Sequence, residues 1–156
     1  MIRSFKLDDI EYVIHSHYEI YRKEYNFDLS FKEYIVDTVG NFLKKFDSSK
    51  ENLWILEINQ QPKGSIGIVK VDETSAQLRW FLIEPDVRGR GFGSELVQTA
   101  IDFCREKRYK TIFLWTNSEL TTARRIYEKY GFKITETKRK KLSNQDLIEE
   151  RWELSL

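Results

Sequence analysis

The chain has 156 residues, about one domain's worth and enough to bury a core without staples. A formal net charge of +1 with 33% charged residues describes an evenly mixed surface, so overall charge supplies no pull toward nucleic acid or membrane. A single cysteine excludes an internal disulfide framework, no apolar run approaches the ~18 residues of a membrane-spanning helix, and Met1-Ile2-Arg3-Ser4-Phe5-Lys6 turns polar too soon for a signal peptide, so a cytoplasmic protein is expected.

Residues Ile2 to Lys6 alternate apolar and polar, as a first strand does. Asp8 or Asp9 can then cap a helix carrying Ile10, Val13, Ile14, His17, Tyr18 and Tyr21. His15 and His17 stand two apart and do not face each other on a helix, which argues against a metal site, and no metal is expected elsewhere. Ser30 with Glu33 makes a capping box for a second helix whose stripe runs Phe31, Tyr34, Ile35, Val39, Phe42, Leu43 and Phe46. After a polar loop, Asp47 to Asn52, the stretch Leu53 to Ile58 reads as a strand, Asn59 to Lys63 as its turn and Gly64 to Val71 as the returning strand. Asp72 to Ser75 turns the chain again into a third antiparallel strand, 76 to 84, which Pro85 ends.

The densest signal follows at once, in Pro85-Asp86-Val87-Arg88-Gly89-Arg90-Gly91-Phe92-Gly93-Ser94. Three glycines before the helical spacing of Leu96, Val97, Ala100, Ile101 and Cys104 leave backbone N–H groups unpaired at a helix start, where a phosphate binds. Ser94-Glu95 after Gly93 rules out a Walker loop, and the third glycine falls one position early for a dinucleotide fingerprint. Cys104 shares the core face of its helix and reads as packing.

Beyond Lys107 and Arg108, Thr111 to Thr116 is a short strand that the crossover should set parallel to strand 76 to 84. Ser118 can cap a last helix through Ala123, Ile126 and Tyr127, stopped by Gly131. Phe132 to Thr137 and Leu147 to Leu154 then form a closing strand pair, and Lys138-Arg139-Lys140-Lys141 between them reads as a solvated loop.

Arg88, Gly91 and Gly93 after a strand ending Ile83-Glu84-Pro85, with Ala123-Arg124-Arg125-Ile126-Tyr127-Glu128-Lys129-Tyr130-Gly131-Phe132 further on, resemble the two motifs of the GNAT N-acetyltransferase superfamily. Leu78-Arg79-Trp80-Phe81-Leu82, Leu114-Trp115-Thr116, Ser118-Glu119-Leu120-Thr121 and Glu150-Arg151-Trp152-Glu153-Leu154 look more narrowly like the GNAT domains fused behind MarR-type regulators. The chain opens at the first strand, so no DNA-binding module is expected ahead of it. The resemblance implies a single domain over residues 1–156 with an α/β, GNAT acyl-CoA N-acyltransferase fold: a mostly antiparallel six- to seven-stranded sheet with one splayed parallel pair, flanked by about four helices.

It implies acetyl-CoA as cofactor, with Gly89, Arg90, Gly91, Phe92, Gly93 and Ser94 on the diphosphate, Arg88 beside it, and a bulge near Phe81, Leu82 and Ile83 whose amides pair with the pantetheine arm and polarise the thioester carbonyl. Tyr127 matches the acid that protonates the departing thiolate. Relatives carry an asparagine seven residues before that tyrosine; here Leu120 stands there, and Asn117 can substitute. The strand also lacks the glutamate that serves some relatives as base, because Gln77 and Arg79 fill its polar positions, leaving Glu24, Glu84 or a water relay. Tyr21 and Glu24 would face the acceptor, and Glu24 with Asp28 suits a small cationic amine. Direct transfer of acetyl to a primary amine of a small molecule is therefore expected, with no nucleic-acid or membrane partner and with homodimerisation common in the superfamily. The alternative is a sensor that holds acyl-CoA without turnover, and retention of Tyr127 weighs against it.

Overall fold

The computed structural model describes every residue from Met1 to Leu156. In chain order the elements are β1 (Ile2–Ser4), α1 (Asp9–Tyr25), α2 (Leu29–Lys44), β2 (Asn52–Ile58), β3 (Gln61–Lys70), β4 (Ser75–Ile83), a 3₁₀ turn (Pro85–Val87), α3 (Phe92–Glu106), β5 (Thr111–Asn117), α4 (Thr121–Lys129), β6 (Lys133–Leu142) and β7 (Gln145–Ser155). The seven strands form one sheet in the order β1-β2-β3-β4-β5-β7-β6. Every neighbouring pair is antiparallel except β4 and β5, joined through α3, which run parallel.

The period-2 alternation of the strands divides the core into two layers. In β2, Leu53 and Ile55 face α1 and α2, meeting Val13, Phe31, Ile35, Val39 and Phe42. Trp54 and Leu56 face the other way, meeting Leu96, Val97, Ala100, Ile101 and Cys104 of α3 and Tyr127 of α4. Cys104 is fully buried in that second layer, and burial pushes its thiol up to about 12, so it packs as an apolar side chain.

Several ends differ from the pattern-based boundaries. β1 stops at Ser4, where Arg3 turns its guanidinium onto Asp9 and Glu57 at 2.8 and 2.6 Å. Asp8 stands at the start of α1 without capping it; Asp9, inside the first turn, accepts from the Lys6 N–H at 2.6 Å. α2 starts ahead of the expected capping box, because Asp28 caps it and Ser30 supplies an N–H instead. Ser118 caps nothing, and α4 begins after Leu120 with no side-chain cap. The basic run Lys138 to Lys141 is no loop: it lies within β6, and cross-strand pairing to the acidic β7 accounts for it, with Lys138 and Lys140 3.7 and 3.4 Å from Glu149.

Candidate active site

β4 pairs with β5 only at Ser75↔Thr111, Ala76↔Ile112 and Gln77↔Phe113, after which the two strands part. A bulge in β4 accompanies the parting: on β3, Ile66 is opposed by both Trp80 and Phe81, since Ser65 pairs with Leu82 and Gly67 with Arg79. Trp80 takes φ +52°, a left-handed conformation that costs a bulky residue energy and must be held from outside. Ser65 Oγ donates to the Trp80 carbonyl at 2.6 Å, the indole N–H reaches Thr38 Oγ1 at 3.3 Å, and Phe42 packs edge-on at 5.2 Å. Gly67 makes the room, because a Cβ there would stand 2.6 Å from the indole.

The extra residue reverses the faces of the strand. Ala76 and Leu78 face α3, but Trp80, of the same parity, faces α2, and Phe81 and Ile83 take over against the α3 layer. The Glu84 N–H donates to Lys63 O of β3, so by alternation the N–H and C=O groups of Phe81 and Ile83 point away from β3, into the gap that β5 leaves. Leu82 has the opposite parity, and its amide turns to β3.

At the end of this open edge the chain makes the glycine turn. Gly89 and Gly91 sit at φ +80° and +85° with empty space where a Cβ would be, and Gly93 fits against Ile126 because a Cβ would come within 2.9 Å of its methyl. The first backbone bond of α3 is Glu95 N–H to Gly91 O at 3.1 Å. The six amides from Gly89 to Ser94 have no backbone acceptor, and Gly91, at the N-cap of α3, offers no side chain to cap them. An exposed row of N–H groups at the positive end of a helix is an anion site. Lys129 adds a cation there, its Nζ 3.4 Å from Ser94 Oγ, while Tyr130 Oη donates to Ser94 O at 3.0 Å.

Two contiguous hollows meet at this edge. A cleft of about 380 Å³ is lined by Tyr21, Glu24, Phe81, Ile83, the glycine turn and α4. A second, inner cavity of about 300 Å³, lying toward the paired end of β4 and β5, shares Tyr21 and Phe81 with it and adds His17, Trp80, Thr116, Asn117 and Tyr127. Tyr127 is 4% exposed, with Phe81, Phe132 and Trp152 rings 6.0, 5.7 and 6.1 Å away. Burial pushes its phenol well above the ordinary tyrosine value, with Tyr21 contributing, so it keeps its proton at neutral pH.

The sequence profile of the acetyltransferase (GNAT) family matches residues 14–132. The chain belongs to that family. Its mixed sheet of seven strands with one parallel pair and four helices is the GNAT fold. It is 25% identical over 143 residues to an uncharacterized N-acetyltransferase of Methanocaldococcus jannaschii, a match that covers 86% of this chain and 61% of that protein. The chain thus spans about half the length of curated relatives that it matches, 48% in the case of human N-acetyltransferase 8B. Among solved structures, an acetyltransferase of the GNAT family from Staphylococcus aureus superposes with TM-score 0.80 at 23% identity, covering 100% of this chain and 98% of that one. A GNAT family acetyltransferase from Elizabethkingia anophelis with acetyl-CoA bound gives 0.63 at 17% identity over 77% of this chain and 82% of that one.

Of the site residues picked from the GNAT motifs, Phe81, Leu82, Ile83, Arg88, Gly89, Gly91, Phe92, Gly93 and Ser94 line the cleft together with Tyr21 and Glu24. Arg90 is exposed and lines neither hollow, whereas Asn117 and Tyr127 line the inner cavity. Asn117 Oδ1 accepts from the Glu119 N–H at 3.0 Å, so it shapes the approach to α4. Arg88 and Glu24 hold each other in a two-pronged pair at 2.7 and 2.9 Å, and Arg88 Nε reaches Ile83 O at 3.0 Å. Glu84 accepts from Tyr12 Oη at 2.6 Å and lines neither hollow. Asp28 is spent on capping α2. Motif reading missed Lys129, which stands inside the quoted Tyr-x-Lys of the GNAT late helix, and it set His17 aside with the metal question.

Proposed function

We propose that this protein transfers acetyl from acetyl-CoA directly to a primary amine of a small molecule. The observation that carries the reading is the row of six acceptor-free amides, Gly89 to Ser94, at the start of α3 beside the open edge of β4. A diphosphate supplies the acceptors and the negative charge that such a row calls for. When bound, acetyl-CoA supplies a thioester, an acyl group activated toward nucleophiles. Lys129 lies where it can neutralise part of the phosphate charge. The Phe81 and Ile83 amides face the gap, where they can pair with the pantetheine arm and donate to the carbonyl oxygen as it gains charge. Tyr127, which keeps its proton at neutral pH, would supply the proton that a departing thiolate needs. Because Glu24 is taken by Arg88 and Glu84 by Tyr12, the amine's proton leaves through water.

The finer likeness, to GNAT domains fused behind MarR-type regulators, rests on Leu78–Leu82, Leu114–Thr116, Ser118–Thr121 and Glu150–Leu154. The same reading takes residues 1–156 as one cytoplasmic domain, free to pair as a homodimer and without a nucleic-acid partner. Tyr127→Phe tests it: kcat should fall about 100-fold or more with acetyl-CoA affinity kept, since the acid is lost and the ring remains. Unchanged kcat removes Tyr127 from the chemistry. Acetyl-CoA binding by calorimetry with no amine-stimulated thiol release would favour the sensor instead.

A further inference from the structure

Two buried side-chain polar atoms in this protein have no hydrogen-bond partner, His17 Nε2 and Thr116 Oγ1. Both residues line the same inner cavity of about 300 Å³. An unmet polar atom in an interior is costly, but both atoms have almost no accessible surface, so they belong to the wall behind the cavity and a ligand inside it does not reach them. His17 is 3% exposed, and its Nδ1 lies 2.7 Å from the Val13 carbonyl oxygen. A carbonyl can only accept, so the proton belongs on Nδ1, and Nε2 carries a bare lone pair. Burial pushes the imidazole down to about 4, which keeps that lone pair free through neutral pH.

The outer end of the cavity has a different chemistry. Arg79, Lys138 and Lys140 line it against one carboxylate, Glu149, so three cations and one anion leave an excess of two positive charges. The Lys138 and Lys140 side chains are 52% and 45% exposed, which puts them at the mouth, over the Trp115 and Tyr34 rings at 4.4 and 5.9 Å. Arg79 meets the Tyr34 hydroxyl at 3.4 Å rather than a carboxylate. Between mouth and interior the wall is apolar, with Phe31, Trp80, Leu114 and Leu147.

We propose that the acceptor is an amine that also carries an acid group, an amino acid with an apolar side chain, with its carboxylate held at Arg79, Lys138 and Lys140 and its side chain against Phe31, Trp80, Leu114 and Leu147. This rests on the acetyl-transfer reading and narrows it. It also reverses the charge that Glu24 and Asp28 suggest: Glu24 is held by its own arginine and Asp28 caps α2, whereas Lys138 and Lys140 share the single carboxylate of Glu149 and leave positive charge over.

The test is thiol release at saturating acetyl-CoA with matched pairs, L-phenylalanine against phenethylamine and L-leucine against isopentylamine. The amino acid of each pair should have a kcat/KM at least 10-fold higher, since only it meets the cationic mouth. In the double variant Arg79→Gln/Lys140→Gln the ratio within each pair should fall about 10-fold, and Lys140→Arg should preserve it. Equal or better use of the decarboxylated amine by the unmodified protein would overturn the proposal, as would a ratio that survives the double variant. Calorimetry with the same pairs separates the two claims. Preferential binding of the amino acid without thiol release would leave the amino-acid site standing but overturn acetyl transfer and with it the acceptor role, whereas release driven by amines lacking the acid would keep acetyl transfer and overturn this inference. No preference in either assay overturns this inference.

Discussion

The starts of α2 and α3 are built in opposite ways. At α2 the Asp28 carboxylate accepts from the Ser30 N–H at 2.9 Å and from Ser143 Oγ at 3.0 Å, while Ser143 Oγ accepts in turn from the Asp28 N–H at 2.8 Å. That end is closed on itself. At α3 a glycine stands at the N-cap, no side chain reaches back, and six amides in succession are unmet. Both ends carry the same partial positive charge, so the difference is one of use. α1 and α4 also start without a side-chain cap, so what sets α3 apart is the unbroken run of six unmet amides behind a glycine. The open start is the one that lies beside the splayed strands, whereas the capped start merely ties α2 to the turn between β6 and β7.

Converting one start into the other is the strongest way to break this contrast. Gly91→Asp would place a carboxylate at the N-cap of α3, where it can satisfy amides from within and repel a diphosphate from without. Acetyl-CoA affinity should fall on the order of 1000-fold, the loss expected when two charge-assisted hydrogen bonds go unmade. Calorimetry reads it directly. The fold should survive at a cost in backbone strain, because Asp, like Asn, reaches positive φ more readily than other side chains and nothing occupies the space around Gly91. Affinity within a few-fold of the original would mean that the open amides are not the diphosphate site.

Local chemistry made the open start legible: three glycines after a proline-ended strand can be read without knowing what lies nearby. Tyr127 was legible for the same reason, as part of a continuous motif. Contacts far apart in sequence were not. Glu24 and Arg88 are 64 residues apart, so nothing in the chain announces that one of the base candidates is already paired. The turn carrying Ser143 is 115 residues from Asp28, and it helps make Asp28 rather than Ser30 the cap. The basic run misled because charge alone suggests a loop, while its partner Glu149 lies on another strand. His17 was discounted on the spacing of two histidines, yet what matters is the burial of Nε2, which only tertiary packing creates.

His17 sharpens the contrast, since it is a second place where the chain leaves a polar group unmet. Unfolded, its imidazole titrates near 6.5; folded, near 4. Between those values the unfolded chain binds more protons, so stability rises with pH there and is lost as pH falls from about 6.5 toward 4. The loss attached to this one group is on the order of 3 kcal/mol. Urea unfolding at a series of pH values should show that slope, and His17→Gln, which has nothing to titrate, should flatten it relative to the unmodified protein. Parallel slopes in the two proteins would place water or another partner on the imidazole.

The smallest expected effect comes from opening the closed start. Asp28→Ala removes the acceptor for the Ser30 N–H and for Ser143 Oγ, and leaves the helix end to solvent. Because Asp28 is exposed, water replaces much of what is lost, and Tm should drop by roughly 2–4 °C in a chain of this size. Acetyl-CoA affinity should stay as it was, since Asp28 itself lines neither hollow. Thermal unfolding and calorimetry on one preparation decide the matter. Were Asp28→Ala to weaken acetyl-CoA binding as Gly91→Asp does, the two helix starts would be coupled, and their difference would reflect how the whole fold is held together rather than what each end is for.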